Sequence, residues 1–172
     1  VNVNLTTGSA TNVAGGVARI LNVFGGSASD SLTGDTGNNV LLGNGGDDKL
    51  NGGTGGRDLL VGGNGSDKLV KTAVGDTIYI GADLASTDAS NVASVRSIMA
   101  EWTSTHSYNT RVTHLQNGTG LTDGVKLNAD VLHGDGLVDS YTAGAGRDLF
   151  FRDSIDTFAG VLPATNEKVI DV

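Results

Sequence analysis

From Gly25 onward, one apolar residue returns every nine positions. The blocks read GGSASDSLT, GDTGNNVLL, GNGGDDKLN, GGTGGRDLLV (one residue longer), GGNGSDKLV and KTAVGDTIY. Position eight is Leu32, Leu41, Leu50, Leu60, Leu69 and Ile78, and position six is Asp30, Asn39, Asp48, Asp58, Asp67 and Asp76. Glycine opens five of the six blocks. A flexible Gly/Ser linker has no reason to keep an apolar residue in phase. A six-residue turn followed by a three-residue strand accounts for the pattern. Neighbours on a strand face opposite ways, so position eight points inward and positions seven and nine outward. Position seven is polar at Ser31, Lys49, Lys68 and Thr77 but apolar at Val40 and Leu59. Two units form a coil of 18 residues, and successive coils stack their strands about 4.8 Å apart. The fold predicted for residues 25–81 is an all-β, two-sheet parallel solenoid.

The period lapses and returns at Val125 as VKLNADVLH, GDGLVDSYT and AGAGRDLFF. Position six is then Asp130, Asp139 and Asp148, and position eight Leu132, Tyr141 and Phe150. RDSIDTFAG reads as a worn further copy, so residues 125–172 are expected to hold weaker repeats and a terminal cap. The ending EKVIDV either caps the last coil or is a plain edge strand. Residues 1–24 alternate Val1, Val3 and Leu5, which predicts strands covering the first coil. Residues 82–124 change to helical spacing. Val92, Val95, Met99 and Trp102 share one face behind an N-cap at Thr87 or Asp88. Tyr108, Val112 and Leu115 share another, between a Ser107 cap and a Gly118 stop. Two short amphipathic helices are expected to cover a sheet face or edge. Trp102 and Tyr108 read first as core, and second as a sugar-binding platform.

Of 19 acidic residues, all but Glu101 and Glu167 are aspartate, and the net charge is −8. An acidic balance disfavours nucleic acid as a partner and favours cations. The chain has no cysteine, hence no disulfide and no thiolate chemistry, and no apolar run long enough to span a membrane. No G-x-S-x-G elbow or phosphate-binding loop is present. His106, His114 and His133 share no metal-ligand spacing, and Asp123, Asp135 and Asp153 read as solvated turn residues. In stacked coils Asp48 falls beside Asp30 and Asp67 on one edge, with Asn39, Asp58 and Asp76 on the other. Like charges so placed repel unless a cation sits among them. Calcium suits carboxylates and carbonyls, zinc wants His or Cys, and magnesium a stricter octahedron.

GGNGSDKLV (residues 62–70) and GNGGDDKLN (residues 43–51) resemble the G-G-x-G-x-D-x-U-x nonapeptide of the RTX, or hemolysin-type, calcium-binding family. The resemblance is clear over residues 25–81 and weaker over 125–151. It implies a right-handed parallel β-roll with several Ca2+ ions, exported by type I secretion to the medium or the bacterial cell surface. It also implies that each ion is shared between loops of repeats n and n+2. Carried over, one ion takes Gly26, Ala28, Asp30, Gly43, Gly45 and Asp48, and the next Asn44, Gly46, Asp48, Gly62, Asn64 and Asp67. On the other edge Gly53, Gly55 and Asp58 pair with Lys71, Ala73 and Asp76. Asp139 and Asp148 are the matching acids of the weaker repeats. The chain departs from the pattern at Asn39, at the lengthened Gly56–Arg57 loop, and at Lys71 and Val74. The expected function is a non-catalytic extracellular calcium-binding module, the C-terminal part of a larger secreted protein, whose folding Ca2+ drives. The alternative is an adhesin or glycan-binding module that uses the helical insertion, with calcium only structural.

Overall fold

The computed structural model describes residues 1–71, 73–81, 83–84, 92–128, 132–159 and 167–172. β1 (Asn2–Asn4) and β2 (Ser9–Ala10) open the chain as an antiparallel pair. The repeats follow as β3 (Asn22–Phe24), β4 (Ser31–Thr33), β5 (Val40–Gly45), β6 (Lys49–Asn51), β7 (Asp58–Asn64), β8 (Lys68–Val70) and β9 (Thr77–Ile80). β10 (Asp83–Leu84) precedes α1 (Val92–Trp102) and α2 (Tyr108–Asn117). After the helices come β11 (Leu132–His133), β12 (Ser140–Thr142), β13 (Leu149–Arg152), β14 (Thr157–Phe158) and β15 (Lys168–Asp171). The chain is thus mostly β. No helix among the described residues is long and apolar enough to cross a membrane.

Successive repeat strands go to alternate sheets. One sheet has the order β14-β12-β8-β6-β4-β1-β2, the other β15-β13-β9-β7-β5-β3. Apart from β1 with β2, every pairing within them is parallel. The architecture is consistent with a β-roll. The step from layer to layer is 18 residues from Asp30 to Asp48, 19 from Asp48 to Asp67 and 17 from Asp139 to Asp156. It is 72 from Asp67 to Asp139, where the insertion intervenes.

The central strand residues Val23, Leu32, Leu41, Leu50, Leu60, Leu69, Tyr79, Tyr141 and Phe150 meet in one buried cluster drawn from both sheets. Each fully buried leucine contributes about 2 kcal/mol of apolar transfer. The last layers replace leucine with rings: Tyr79 stacks on Phe150 at 4.7 Å, and Phe158 meets Phe150 edge-on at 5.0 Å. A second cluster lies on the far face of the six-stranded sheet. There Val40, Leu42, Leu59, Val61, Ile78, Ile80 and Phe151 pack against Val95, Ile98, Trp102, Tyr108, Val112 and Leu115 of the helices. The apolar position-seven residues Val40 and Leu59 are therefore those under the helices. Lys49 and Lys68, at the same position in the other sheet, face solvent. Ser107 Oγ accepts from Thr110 N at 3.2 Å, and Gly118 closes α2 in the left-handed conformation (φ 69°). The expected cap of α1 at Thr87 or Asp88 lies outside the described residues, as does Asp130.

Two expectations are corrected. The block KTAVGDTIY is out of phase by one: Asp58 pairs with Thr77 and Leu60 with Tyr79. Tyr79 therefore points inward, and Ile78 joins the helix-side cluster. The described end of the block VKLNADVLH leaves the stack, since Leu132–His133 pairs antiparallel with Asp83–Leu84 and Leu132 is buried on the helix side. RDSIDTFAG does form a layer, with Tyr141 beside Phe158. Lys168–Asp171 is an edge strand on β13.

Candidate metal centre

Five aspartates stack along the seven-stranded sheet. The amide of Asp30 donates to Asp48 Oδ1 (2.7 Å), Asp48 to Asp67 (2.8 Å), Asp67 to Asp139 (2.6 Å) and Asp139 to Asp156 (2.9 Å). The amino group of Val1 donates to Asp30. Parallel pairing in constant register produces the column, because residues that precede each strand share one position in every layer. Each carboxylate after Asp30 thus has one oxygen held by the amide of the layer before. The other oxygen turns to its own loop. In Asp48 and Asp67 that atom, Oδ2, is buried and meets no donor. A buried carboxylate oxygen without a partner is costly, and a cation is the partner its charge calls for.

The loops crowd these oxygens with backbone. A Cβ on Gly43 would strike the Asp48 carboxylate and the Gly62 carbonyl, and one on Gly46, at φ 93°, would strike Ala28 of the preceding loop. Glycine is what lets the chain close over the acid. Gly26 O accepts from Gly45 N, and Asn64 O from Gly46 N, while Asn44 pairs with Gly63. A carbonyl has two lone pairs, so these oxygens keep one for a cation. Gly26, Ala28, Asp30, Gly43, Gly45 and Asp48 are thereby brought to one end of adjoining layers, as are Asn44, Gly46, Gly62, Asn64 and Asp67. The donors are hard oxygens, the set calcium takes.

Burial, with like charges from neighbouring layers, pushes the Asp48 carboxyl up to about 6, Asp67 to about 7 and Asp139 to about 8. Asp148 rises to about 7 through burial and the nearby Glu167. The native chain therefore keeps protons that an unfolded aspartate loses near 3.8. Stability gained this way is complete below about pH 4 and is lost as pH rises through the raised values. With divalent ions chelated, the melting temperature is expected to fall steadily between pH 5 and pH 8. A melting temperature that rises across this window would contradict the raised values.

The other edge carries Asn39, Asp58, Thr77 and Asp148. Asn39 N donates to Asp58 Oδ1 (2.9 Å) and Thr77 N to Asp148 Oδ1 (2.7 Å). Asp148 Oδ2 is buried without a donor. The lengthened loop leaves Asp58 in register, and the extra Arg57 reaches the carbonyl of Ser104 (2.9 Å). Gly53 and Gly55 stack over Asp35 and Thr36. Asp76 is the misplaced acid. It sits one residue before the column, where its carboxylate accepts from Arg111 (2.6 Å) and from the Arg147 amide (2.9 Å). Burial works against its charge, and these partners more than offset that, so its pKa is lowered.

Sequence reasoning missed Asp156 and underrated Asp135 and Asp153. Asp135 accepts from Gly65 N (2.8 Å) and Asp153 from Gly136 N (3.3 Å), so both brace neighbouring loops. It also missed a meeting of Glu101, His106 and His114, whose ligand atoms lie within 4.8 Å of one another. Glu101 Oε1 is 2.8 Å from His106 Nδ1 and 3.0 Å from His114 Nδ1, and Oε2 accepts from Leu121 N. These bonds clamp α1, the turn before α2 and the turn after it. The sugar-platform reading of Trp102 and Tyr108 is overturned by burial: 0% and 4% of each is exposed. Trp102 Nε1 donates to Asp76 O (3.2 Å), Tyr108 Oη to Asp148 O (2.6 Å), and the Arg111 guanidinium covers the indole at 4.6 Å.

No curated protein and no solved structure matches the chain. The family model of the RTX calcium-binding nonapeptide repeat matches residues 24–57 and 52–70, in four copies. That family is a structural calcium-binding module rather than an enzyme family, and its members are typically secreted. The matched span contains the glycine-lined loops of Asp30, Asp48 and Asp67 and the buried oxygens without donors. The match to the RTX calcium-binding nonapeptide repeat thus falls on residues 24–70 of this chain.

Proposed function

We propose that this chain is a right-handed, calcium-bound β-roll that serves a secreted bacterial protein as a non-catalytic structural module. Its folding is coupled to calcium after export by type I machinery. The observation that carries the reading is the pair of buried Oδ2 atoms on Asp48 and Asp67, each without a donor inside a glycine-lined loop. Asp30, Asp48 and Asp67, with carbonyls of Gly26, Ala28, Gly43, Gly45, Asn44, Gly46, Gly62 and Asn64, would hold two ions that share Asp48. Calcium supplies the positive charge that lets the column stay buried and ionised. Binding to the folded state alone adds about 1.4 kcal/mol per site at ten times Kd. Several sites then separate a low-calcium cytosol, where the chain stays unfolded, from a calcium-rich exterior, where it folds.

The test compares Asp48→Ala with Asp30→Ala by calorimetric ion count and by circular dichroism during calcium titration. Asp48→Ala is expected to lose two ions and to need the higher calcium concentration to fold, and Asp30→Ala to lose one. Equal losses in the two variants would refute the shared-ligand arrangement.

A further inference from the structure

Lys71 stands where neighbouring layers have glycine. Gly34, Gly52 and Lys71 each follow directly on a strand of the seven-stranded sheet, and their amides donate in turn to Asn51 O, Val70 O and Thr142 O. A Cβ added to Gly34 would meet Asn39 Oδ1, and one added to Gly52 would meet Asp58 Oδ2. Lys71 puts a long side chain into that same interior. It is fully buried, and its ammonium donates to the carbonyls of Gly55 (2.7 Å) and Gly56 (2.8 Å) and to Asp58 Oδ2 (2.7 Å). An ammonium has three N–H donors, and all are used. One carboxylate and two carbonyls of a repeat loop are the hard oxygens that calcium would otherwise take there.

A second change in the same layer matches the first. The position beside Asp58 holds Thr77 in place of an acid. At the column position this loop pair therefore presents one carboxylate instead of two, together with one built-in cation, the Asp76 carboxylate being taken by Arg111. The two charges cancel. A calcium ion added to them would leave buried excess positive charge, which is strongly unfavourable. We propose that Lys71 Nζ is a tethered substitute for calcium, which closes the Asp58 loop pair without metal. The proposal rests on the calcium reading of the other loops. Arg57 of the same loop bonds Ser104 O beyond α1, so the layer closed by the lysine is one of those on which the helical insertion docks. That one contact of the insertion would then need no calcium ion beneath it, while the Asp48 column does.

The test is an ion count by equilibrium dialysis on the whole chain. Lys71→Gly is expected to bind one calcium more than wild type, and Lys71→Met, which refills the space without charge, no more than wild type. Folded Lys71→Gly with the wild-type count would overturn the proposal alone. A wild-type chain that binds no calcium would sink the underlying reading and this one with it. A readout free of refolding is the Lys71 ammonium of calcium-loaded wild type, observed by nitrogen-resolved NMR. Protection from water exchange is expected, whereas fast exchange would mean that an ion has displaced it.

Discussion

In excess chelator at pH 8, this chain is expected to lose most of its β-sheet circular dichroism and to regain it as calcium is added. Asp48, Asp67 and Asp139 hold their protons only up to about pH 6, 7 and 8, so near pH 8 the column is largely ionised. At a layer spacing of about 4.8 Å and an effective dielectric of about 20, two such charges repel by roughly 3 kcal/mol. A domain has only about 5–15 kcal/mol of net stability, so a few unneutralised neighbours suffice to unfold the repeats. Protons offer a partial substitute, and the loss in chelator should be smaller at pH 5. Circular dichroism and thermal melts at both pH values, with and without calcium, decide the matter. An unchanged melt in chelator at pH 8 would show that the columns are tolerated bare, and calcium-coupled folding would be refuted.

The repeat itself was legible because stacking in register imposes one position on many residues. Leucine at position eight and the acid two places before it recur for reasons local to each turn. The two exceptions at position seven were also informative. Val40 and Leu59 belong to alternate repeats, hence to one sheet, and they mark the face that the helices cover. What covers that face was legible only as amphipathic spacing, with Ser107 and Gly118 as ends. The docking is set by contacts between segments far apart in the chain, such as Arg57 to Ser104.

The errors have one cause. Where two candidate phases compete, long-range partners decide. KTAVGDTIY offers an acid in phase, yet Arg111, far along the chain, takes the Asp76 carboxylate, and Thr77 enters the column. Tyr79 then fills the interior beside Phe150, where Ile78 had been expected. In RDSIDTFAG the acid stands one place early, and a step of 17 residues restores it to the column as Asp156. Lys71 read as a departure from the glycine pattern. That its ammonium bonds the loop of Asp58 depends on a side-chain path which no spacing rule describes.

Replacing Trp102 by alanine is expected to cost about 3–5 kcal/mol, the range for deleting a large buried ring. The indole is wholly buried between the helices and the six-stranded sheet. It is bonded through Nε1 to Asp76 O and covered by Arg111. Its own carbonyl accepts from Arg111 (2.7 Å), so the end of α1, the arginine and the Asp76 carboxylate form one connected unit. The cavity therefore also loosens a partly buried ion pair, and the loss should fall at the upper end of the range. Tyr108→Phe is the mild companion: it removes one hydrogen bond, to Asp148 O, at a cost of about 1 kcal/mol. Denaturant unfolding in saturating calcium measures both. The calcium count of Trp102→Ala should match wild type, because the aspartate column proposed to hold the ions follows the other sheet. A loss below about 1 kcal/mol for Trp102→Ala would mean that the ring is exposed in solution. The aromatic pair would then be free for a ligand and the insertion no longer a cover for the sheet.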